Sequence, residues 1–244
     1  MDDQVLEVTT LLLEAKSAIQ ADKRHEAATK LSQAYSIAKA ANNSHLMTEI
    51  AQQFQRIGQF VADQQRIEMN PIETKGWILD IGGGGEGIIG LLNGRQVVAI
   101  DTSREELEET QNDALKVVMD AADLRFLSAS FDRCTAFFSM MYIPADQHLT
   151  VFQEAYRVLK PLGEFLLWDV TVKQAETDCN LLVLPLEIRL PDKTVETGYG
   201  VRWRKQEMEG LLELAKQSGF EGIDTWKKGA IFHIRLRKPQ NHSG

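Results

Sequence analysis

Apolar positions in the first seventy residues recur at helical spacing. Leu12, Ala15 and Ile19 mark one stripe, and Ala27, Leu31, Ala34, Tyr35 and Ala38 mark the next. A single glycine, Gly58, interrupts this stretch before Pro71. Asp22, ahead of Lys23 and Arg24, starts the second helix. The Asn42-Asn43-Ser44 cluster ends it, and Ser44 caps a third helix through Phe60. Residues 1–70 are therefore predicted to form a helical extension that caps the rest of the chain, lids it, or pairs two copies as a homodimer.

After Pro71 the period changes. Trp77–Ile81, Gln96–Asp101, Leu115–Met119, Arg133–Ser139 and Glu164–Val170 are short runs of strand type. They alternate with helical segments around Gly87–Leu92, in the acidic stretch after Asp101, and over Asp146–Leu159. Lys160-Pro161-Leu162-Gly163 reads as a helix stop. Alternation of this kind implies parallel strands joined by crossover helices. Leu181–Leu190 and Thr194–Trp203 flank Pro191-Asp192-Lys193 and read as a β-hairpin. Gln206–Ser218 is a helix, and Phe220–Trp226 and Ala230–Leu236 are two final strands. Residues 71–244 form one domain on this reading. Within it, residues 171–204 exceed an ordinary connection of about 2–6 residues and are read as an inserted lid over a substrate.

Composition narrows the class. The chain is 43% hydrophobic and 25% charged, as in ordinary globular proteins. No apolar run approaches the roughly 20 residues a bilayer demands. The opening MDDQVLEV lacks the basic-then-apolar order of a secretory signal, and Cys134 and Cys179 have no CxxC spacing. A cytoplasmic protein without a disulfide scaffold or cysteine-built zinc site is expected, and no His/Asp/Glu cluster has metal-ligand spacing. The net charge is −8, and residues 71–170 alone carry 8 basic and 16 acidic side chains. That balance gives no cationic footprint for nucleic acid. Glu105, Glu106, Glu108 and Glu109 read most simply as a solvated helix start favoured by the helix dipole.

The strongest local signal is Leu79-Asp80-Ile81-Gly82-Gly83-Gly84-Gly85-Glu86-Gly87, between a strand and a helix. Glycines there allow a sharp turn and close approach of a ligand. Asp101 ends the next strand, nineteen residues beyond Gly82. Its carboxylate is placed to accept hydrogen bonds from ribose hydroxyls, or to cap the helix that follows Asp101-Thr102-Ser103. A nicotinamide-dependent oxidoreductase shares both features. Asp80 separates the two cofactor classes, because a dinucleotide turn usually has an apolar residue there and a buried carboxylate needs a local donor.

Asp80 opening an Asp-x-Gly-x-Gly turn resembles the first motif of class I S-adenosylmethionine-dependent methyltransferases. Further segments, in the family's order, extend the resemblance. Met119-Asp120-Ala121-Ala122-Asp123-Leu124-Arg125-Phe126 resembles its adenine-contacting Gly-Asp-Ala-x-x-Leu-Pro-Phe segment. Phe131-Asp132 resembles the opening of its fourth strand. Arg157-Val158-Leu159-Lys160-Pro161-Leu162-Gly163 resembles its Arg-Val-Leu-Lys-Pro-Gly-Gly segment, and Gln206–Phe220 its helix ending in Ser/Ala-Gly-Phe. Together these cover roughly residues 76–237. A weaker likeness to a tetratricopeptide hairpin lies between Leu11 and Gly58, with fewer than two units.

The resemblance implies an α/β fold: a doubly wound, seven-stranded, Rossmann-like sheet whose last strand runs antiparallel, with the helical extension and hairpin as additions. It implies S-adenosyl-L-methionine as cofactor, held by Asp80, Gly82, Gly84, Gly87, Asp101, Thr102, Asp120, Ala121 and Ser139. The sequence departs from the family at Glu86, where the last glycine of the turn is usual, at Leu162, and at the Met140-Met141-Tyr142 loop. That loop is unlike the Asn-Pro-Pro-Tyr version that grips planar amines.

Methyl transfer from a sulfonium expels a neutral thioether, so positioning supplies much of the rate. A base is needed only where the acceptor must lose a proton. Candidates near a small-molecule acceptor are Met140, Met141, Tyr142, Trp168, Asp169, Tyr199 and Trp203. Tyr142 orients the acceptor and Asp169 acts as a base, or Asp169 is a turn carboxylate and the methionines and Trp168 are core. His148 and His233 read as structural. Pro185, Glu187, Arg189 and Tyr199 in the insertion suit a small or medium acceptor. A catalytically silent S-adenosylmethionine-binding module remains the alternative from a different class.

Overall fold

A computed structural model describes residues 3–172, 181–202 and 205–240. The chain divides into two compact units. One comprises Met1–Gln64, Gln174–Pro185 and Gly198–Trp203, and the other Gln65–Lys173, Leu186–Thr197 and Arg204–Gly244. Cys179 and Trp203 lie outside the described residues.

In the first unit, α1 (Asp3–Gln20), α2 (Arg24–Ala40) and α3 (Ser44–Arg56) are followed by β1 (Gln59–Val61). Their apolar stripes converge on Val8, Leu12, Ala15, Ala18, Ala27, Leu31, Ala34, Ala38, Ile50, Phe54 and Ile57. Small alanines at the contacts let the helices approach closely. Two expected boundaries differ. Asn43, not Ser44, caps α3, its side chain accepting from Leu46 N at 3.1 Å. The third helix ends at Arg56 rather than Phe60. Gly58 takes φ +77, and Gln59–Val61 pairs in parallel with residues 181–183. Strand pairing overrode the helical period there.

The second unit begins with β2 (Gln65–Glu68), which pairs in parallel with residues 186–189. Then come β3 (Ile78–Ile81), α4 (Ile88–Asn93), β4 (Val97–Asp101), α5 (Arg104–Glu109), β5 (Leu115–Val118), β6 (Phe131–Phe137), α6 (His148–Val158) and β7 (Leu159–Val170). The insertion contributes β8 (Leu181–Arg189) and β9 (Thr194–Arg202), which pair with each other. The chain closes with α7 (Met208–Gln217), β10 (Glu221–Lys228) and β11 (Ile231–Arg237). The main sheet has seven strands in the order β10-β11-β7-β6-β3-β4-β5. β11 runs antiparallel to β7 and β10; the pairings among β5, β4, β3, β6 and β7 are parallel. The expected doubly wound α/β sheet is present. Strand order reverses around β3, so the carboxyl ends of β3, β4 and β6 border the crevice where such sheets bind ligands.

Near-continuous apolar runs in β3, in β4 and in the second half of β6 are what a sheet covered on both faces requires. One face packs Leu79, Ile81, Val98, Ile100, Cys134, Ala136, Phe165, Leu167, Phe232 and Ile234 against α6 and α7. The expected helix stop after Leu159 is instead the start of β7, with Leu162 at φ +64. Leu162 thus occupies a left-handed position of the kind glycine ordinarily fills.

On the opposite sheet face His233 pairs in register with Trp168 and Trp226. Its ring lies 4.8 Å from Trp168 and 5.4 Å from Trp226. Both ring nitrogens are buried without a hydrogen-bond partner, and burial lowers its pKa to about 4. Its folded pKa lies below the ordinary 6.5, so its contribution to stability is present above pH 6.5 and is lost as pH falls toward 4. His233→Phe keeps the stack and removes the unpaired nitrogens. It is expected to raise Tm by about 2–6 °C, with the gain widening below pH 6.5. An unchanged or lowered Tm across a pH series would show that a ring nitrogen is satisfied.

Candidate functional site

The glycine turn leaves β3 at Ile81 and enters α4 at Ile88. Gly82 N and Gly83 N both donate to Ile100 O at 2.9 Å, so β4 holds the turn. Gly82 adopts φ +71, and a Cβ there would lie 2.4 Å from Ser139 Cβ. Ser139 Oγ, just beyond β6, donates to Ile81 O at 2.7 Å. The turn is therefore gripped from the strands on both sides of β3.

Asp101 ends β4 in the half-buried class. Its Oδ1 accepts from Ser103 N at 2.9 Å, while Ser103 Oγ accepts from Glu106 N at 3.2 Å and caps α5. Its Oδ2 is turned to the glycines: a Cβ on Gly84 would meet it at 2.9 Å and Glu106 Cβ at 2.6 Å. Gly84 thus lets the turn approach Asp101 and Glu106 more closely than any residue with a Cβ could. Thr102 is exposed beside it. After β5, Asp120 is exposed and its Oδ1 accepts from Ala122 N at 2.8 Å; Ala121 beside it is buried. Asp101 and the Asp120-Ala121 turn stand at the ends of neighbouring strands, linked by Met119 N donating to Asp101 O at 2.9 Å.

Gly87 has a different neighbourhood. It sits at φ +55 ahead of α4, and a Cβ there would lie 2.1 Å from Thr110 Cγ2 and 2.5 Å from Asn112 Nδ2. It packs the turn onto the chain after α5. Glu86, in the place of the family's last glycine, accepts a hydrogen bond from Thr197 Oγ1 of the inserted hairpin.

Asp80 is 2% exposed, and Thr135 Oγ1 donates to its Oδ1 at 2.7 Å. Sequence reasoning missed Thr135; the available signal was a lone polar residue inside the apolar run Cys134–Phe138. Burial raises Asp80 to about 7, against the Thr135 hydrogen bond and with help from the charge of Asp101. A folded pKa above the ordinary value gives a contribution to stability that is full below about pH 4 and is lost as pH rises through about 7. Asp80→Asn removes this titration. Between pH 5 and pH 8 the wild-type Tm is expected to fall relative to that of the variant; a constant difference would contradict a protonated Asp80.

The acceptor-side candidates cluster after β6 and β7. Tyr142 is 46% exposed. Burial, and then the charges of Asp169, Glu86 and Glu106, push its phenol further up, so it stays protonated at neutral pH. Met140 and Met141 are buried, and Trp168 is nearly so, its ring 5.9 Å from Phe137. Asp169 is fully buried. Its Oδ1 accepts from Val170 N at 2.8 Å and Gln206 Nε2 at 2.8 Å, and its Oδ2 from Met141 N at 3.1 Å. Burial lifts it to about 7 despite these donors. His148, as expected, is structural: Nε2 lies 3.1 Å from Met140 O and 3.0 Å from Ile143 O. Tyr199 belongs to the other unit. Glu187 and Arg189 of the insertion engage one another at 2.8 Å, and Glu187 also holds Arg66 at 2.8 Å.

Among the described residues no group of three or more His, Cys, Asp or Glu side chains is arranged to hold a metal ion. No described helix is long and apolar enough to cross a membrane.

Residues 79–167 match the methyltransferase domain family, a segment that runs from β3 into β7. A search of curated proteins gives no match. Among solved structures, an S-adenosylmethionine-dependent methyltransferase of Methanosarcina mazei superposes with a TM-score of 0.53 at 18% identity, over 72% of this chain and 100% of that one. A protein of Pyrococcus horikoshii OT3 superposes with a TM-score of 0.51 at 21% identity, over 68% and 83%. At these identities the likeness is one of fold. Nothing in these matches favours the nicotinamide reading. The family match places a methyltransferase domain over residues 79–167, and the motif order and the seven-stranded sheet agree with its S-adenosylmethionine-dependent class.

Proposed function

We propose that the chain transfers a methyl group by in-line displacement to a small-molecule acceptor seated beyond the ends of β6 and β7. The observation that carries this reading is the meeting of the glycine turn, the Asp101 carboxylate and the Asp120-Ala121 turn at the carboxyl ends of β3, β4 and β5. The hydroxyls of a cofactor ribose would donate to Asp101, and the Asp120-Ala121 turn at the neighbouring strand end would hold its adenine. S-adenosylmethionine supplies an electrophilic methyl on a sulfonium, which leaves as a neutral thioether. On this reading Asp80, Gly82, Gly84, Gly87, Asp101, Thr102, Asp120, Ala121 and Ser139 build or line the cofactor side, with Gly82, Ser139 and Gly87 shaping the turn.

The protein's task on the acceptor side is alignment at about 3–3.5 Å. Tyr142 fits this task as a neutral phenol that donates or accepts a hydrogen bond. Asp169, its oxygens engaged by three donors, is better suited to holding the loop than to removing a proton. Glu86, Glu106 and Asp169 act together on Tyr142. A field of that sign repels a polyanion and supports a small acceptor over nucleic acid. We further propose that residues 171–204 form a lid on the acceptor side, supported by the Thr197–Glu86 hydrogen bond. The helical extension of residues 1–70 is proposed as a cap, a lid or a homodimer surface, and a cytoplasmic location is proposed from the two cysteines, Cys134 and Cys179, which lack disulfide-scaffold spacing.

The test is calorimetric titration with S-adenosylmethionine, S-adenosylhomocysteine and NADH, followed by transfer of labelled methyl to a panel of small amines, phenols and thiols. Saturable binding of the sulfonium cofactor with turnover on a panel member supports the proposal. Binding without turnover on any acceptor, nucleic acid and protein included, favours the silent module.

A further inference from the structure

The inserted segment leaves the methyltransferase domain after Val172 and returns at Gln206. An isolated antiparallel bridge closes its base: Val172 N donates to Gln206 O and Gln206 N to Val172 O, both at 2.9 Å. The Gln206 side chain does more than seal this bridge. Its Nε2 reaches Asp169 Oδ1 at 2.8 Å and Val170 O at 3.1 Å. Asp169 Oδ2 in turn accepts from Met141 N, next to Tyr142. One fully buried carboxylate therefore joins the end of β7, the re-entry point of the insertion and the loop after β6. That loop is also tied by Ser139 Oγ to Ile81 O and by His148 Nε2 to Met140 O and Ile143 O. Asp169 adds a tie at Met141 N, between those two.

We propose that Gln206 is a positioning residue of the methyltransferase, acting through Asp169 to set the Met141-Tyr142 loop against the acceptor. A buried carboxylate turns to wherever its donors stand, because leaving it unpaired is costly. With Gln206 in place, Oδ1 is fixed by two donors and Oδ2 is left aimed at Met141 N. Without Gln206, Oδ1 keeps Val170 N as donor but loses its tie to the insertion, and the hydrogen bond from Met141 N to Oδ2 loosens. The functional meaning of this loop rests on the methyl-transfer reading given above; the staple itself does not.

The experiment compares wild type, Gln206→Met, Asp169→Asn and the double variant Asp169→Asn/Gln206→Met. Hydrogen exchange is read at the Met141 and Tyr142 amides, and S-adenosylhomocysteine binding by calorimetry. Gln206→Met keeps side-chain length and removes the donor. It is expected to speed exchange at Met141 by roughly tenfold, while S-adenosylhomocysteine affinity changes less than about twofold, a difference below one hydrogen bond's worth. Asp169→Asn puts an NH2 group against one of the amides that the carboxylate accepts from, and is expected to speed exchange at Met141 by itself. If Gln206 acts through Asp169, Gln206→Met adds little more in the Asp169→Asn background, a coupling that lost packing alone does not produce. Unchanged exchange in Gln206→Met, or effects of the two single changes that simply add in the double variant, overturns the proposal. Should Gln206→Met fail to fold, Gln206→Asn, which draws the amide back by one methylene, decides it by the same exchange. Absence of S-adenosylhomocysteine binding in the wild type overturns the methyl-transfer reading beneath it, which separates the two failures.

Discussion

Asp101→Ala is expected to lower affinity for S-adenosylmethionine and S-adenosylhomocysteine by about one to two orders of magnitude, since a hydrogen bond to a charged partner is worth about 1.5–3 kcal/mol. The carboxylate has two tasks on its two oxygens. Oδ1 accepts from Ser103 N, and Oδ2 faces the glycine turn at Gly84. The alanine variant removes both, so part of its effect passes through the start of α5. Asp101→Asn separates them, because an amide oxygen still accepts from Ser103 N while the other position becomes a donor. The asparagine variant is expected to keep the wild-type Tm and still bind the cofactor more weakly. Calorimetry on the three proteins, with Tm measured in parallel, reads this directly. Wild-type affinity in Asp101→Ala would remove the ribose role and leave Asp101 as a capping residue.

Gly82→Ala carries the second large effect, and it acts on fold and site together. Gly82 holds φ +71, a conformation that costs an alanine about 1 kcal/mol or more. The added methyl would also stand 2.4 Å from Ser139 Cβ, closer than packed carbons approach. Overpacking of that kind typically costs a further 1–3 kcal/mol or so. A loss near 2–4 kcal/mol corresponds to a Tm lowered by roughly 5–15 °C in a domain of this size. Cofactor binding is expected to be lost as well, because the turn is held in register by Ile100 O below and Ser139 beside it. Adding Ser139→Gly relieves the collision but not the backbone strain, so the double variant should recover part of the Tm. A Gly82→Ala protein with unaltered Tm and binding would mean the turn relaxes at no cost.

The two helical hairpin stripes, the alternation of strands with helices, and the order of the glycine turn, Asp101 and the Asp120-Ala121 segment were legible in the sequence. Each is written in local terms: hydrophobic period, turn chemistry, and spacing along one strand-helix-strand unit. They suffice for the seven-stranded sheet and the cofactor class. Two stretches became strands against the sequence reading, Gln59–Val61 where a helix was expected and Lys160–Gly163 where a helix stop was. Only pairing with residues 181–183 makes a strand of the first. The second follows Leu159, paired with Phe131 of β6, and is tied to Lys238 beyond β11 through Leu162 N and Gly163 O, with Leu162 at a positive φ.

The site divides along the same line. Asp80 was visible as a carboxylate in need of a donor, but Thr135, fifty-five residues on, becomes that donor only when β6 lies beside β3. Asp169 offered a base or a turn residue with nothing local to choose between them. Its donors Met141 N and Gln206 Nε2 are brought to it only by the loop after β6 and by the far end of the insertion. Glu86 read as a departure from a glycine pattern, and its hydrogen bond to Thr197 needed the hairpin folded back onto the turn. Sequence by itself determined which chemistry the chain can hold, because backbone period and motif spacing are local properties. Tertiary structure decided what each buried polar group does, because its energy depends on donors that only the assembled sheet brings within reach.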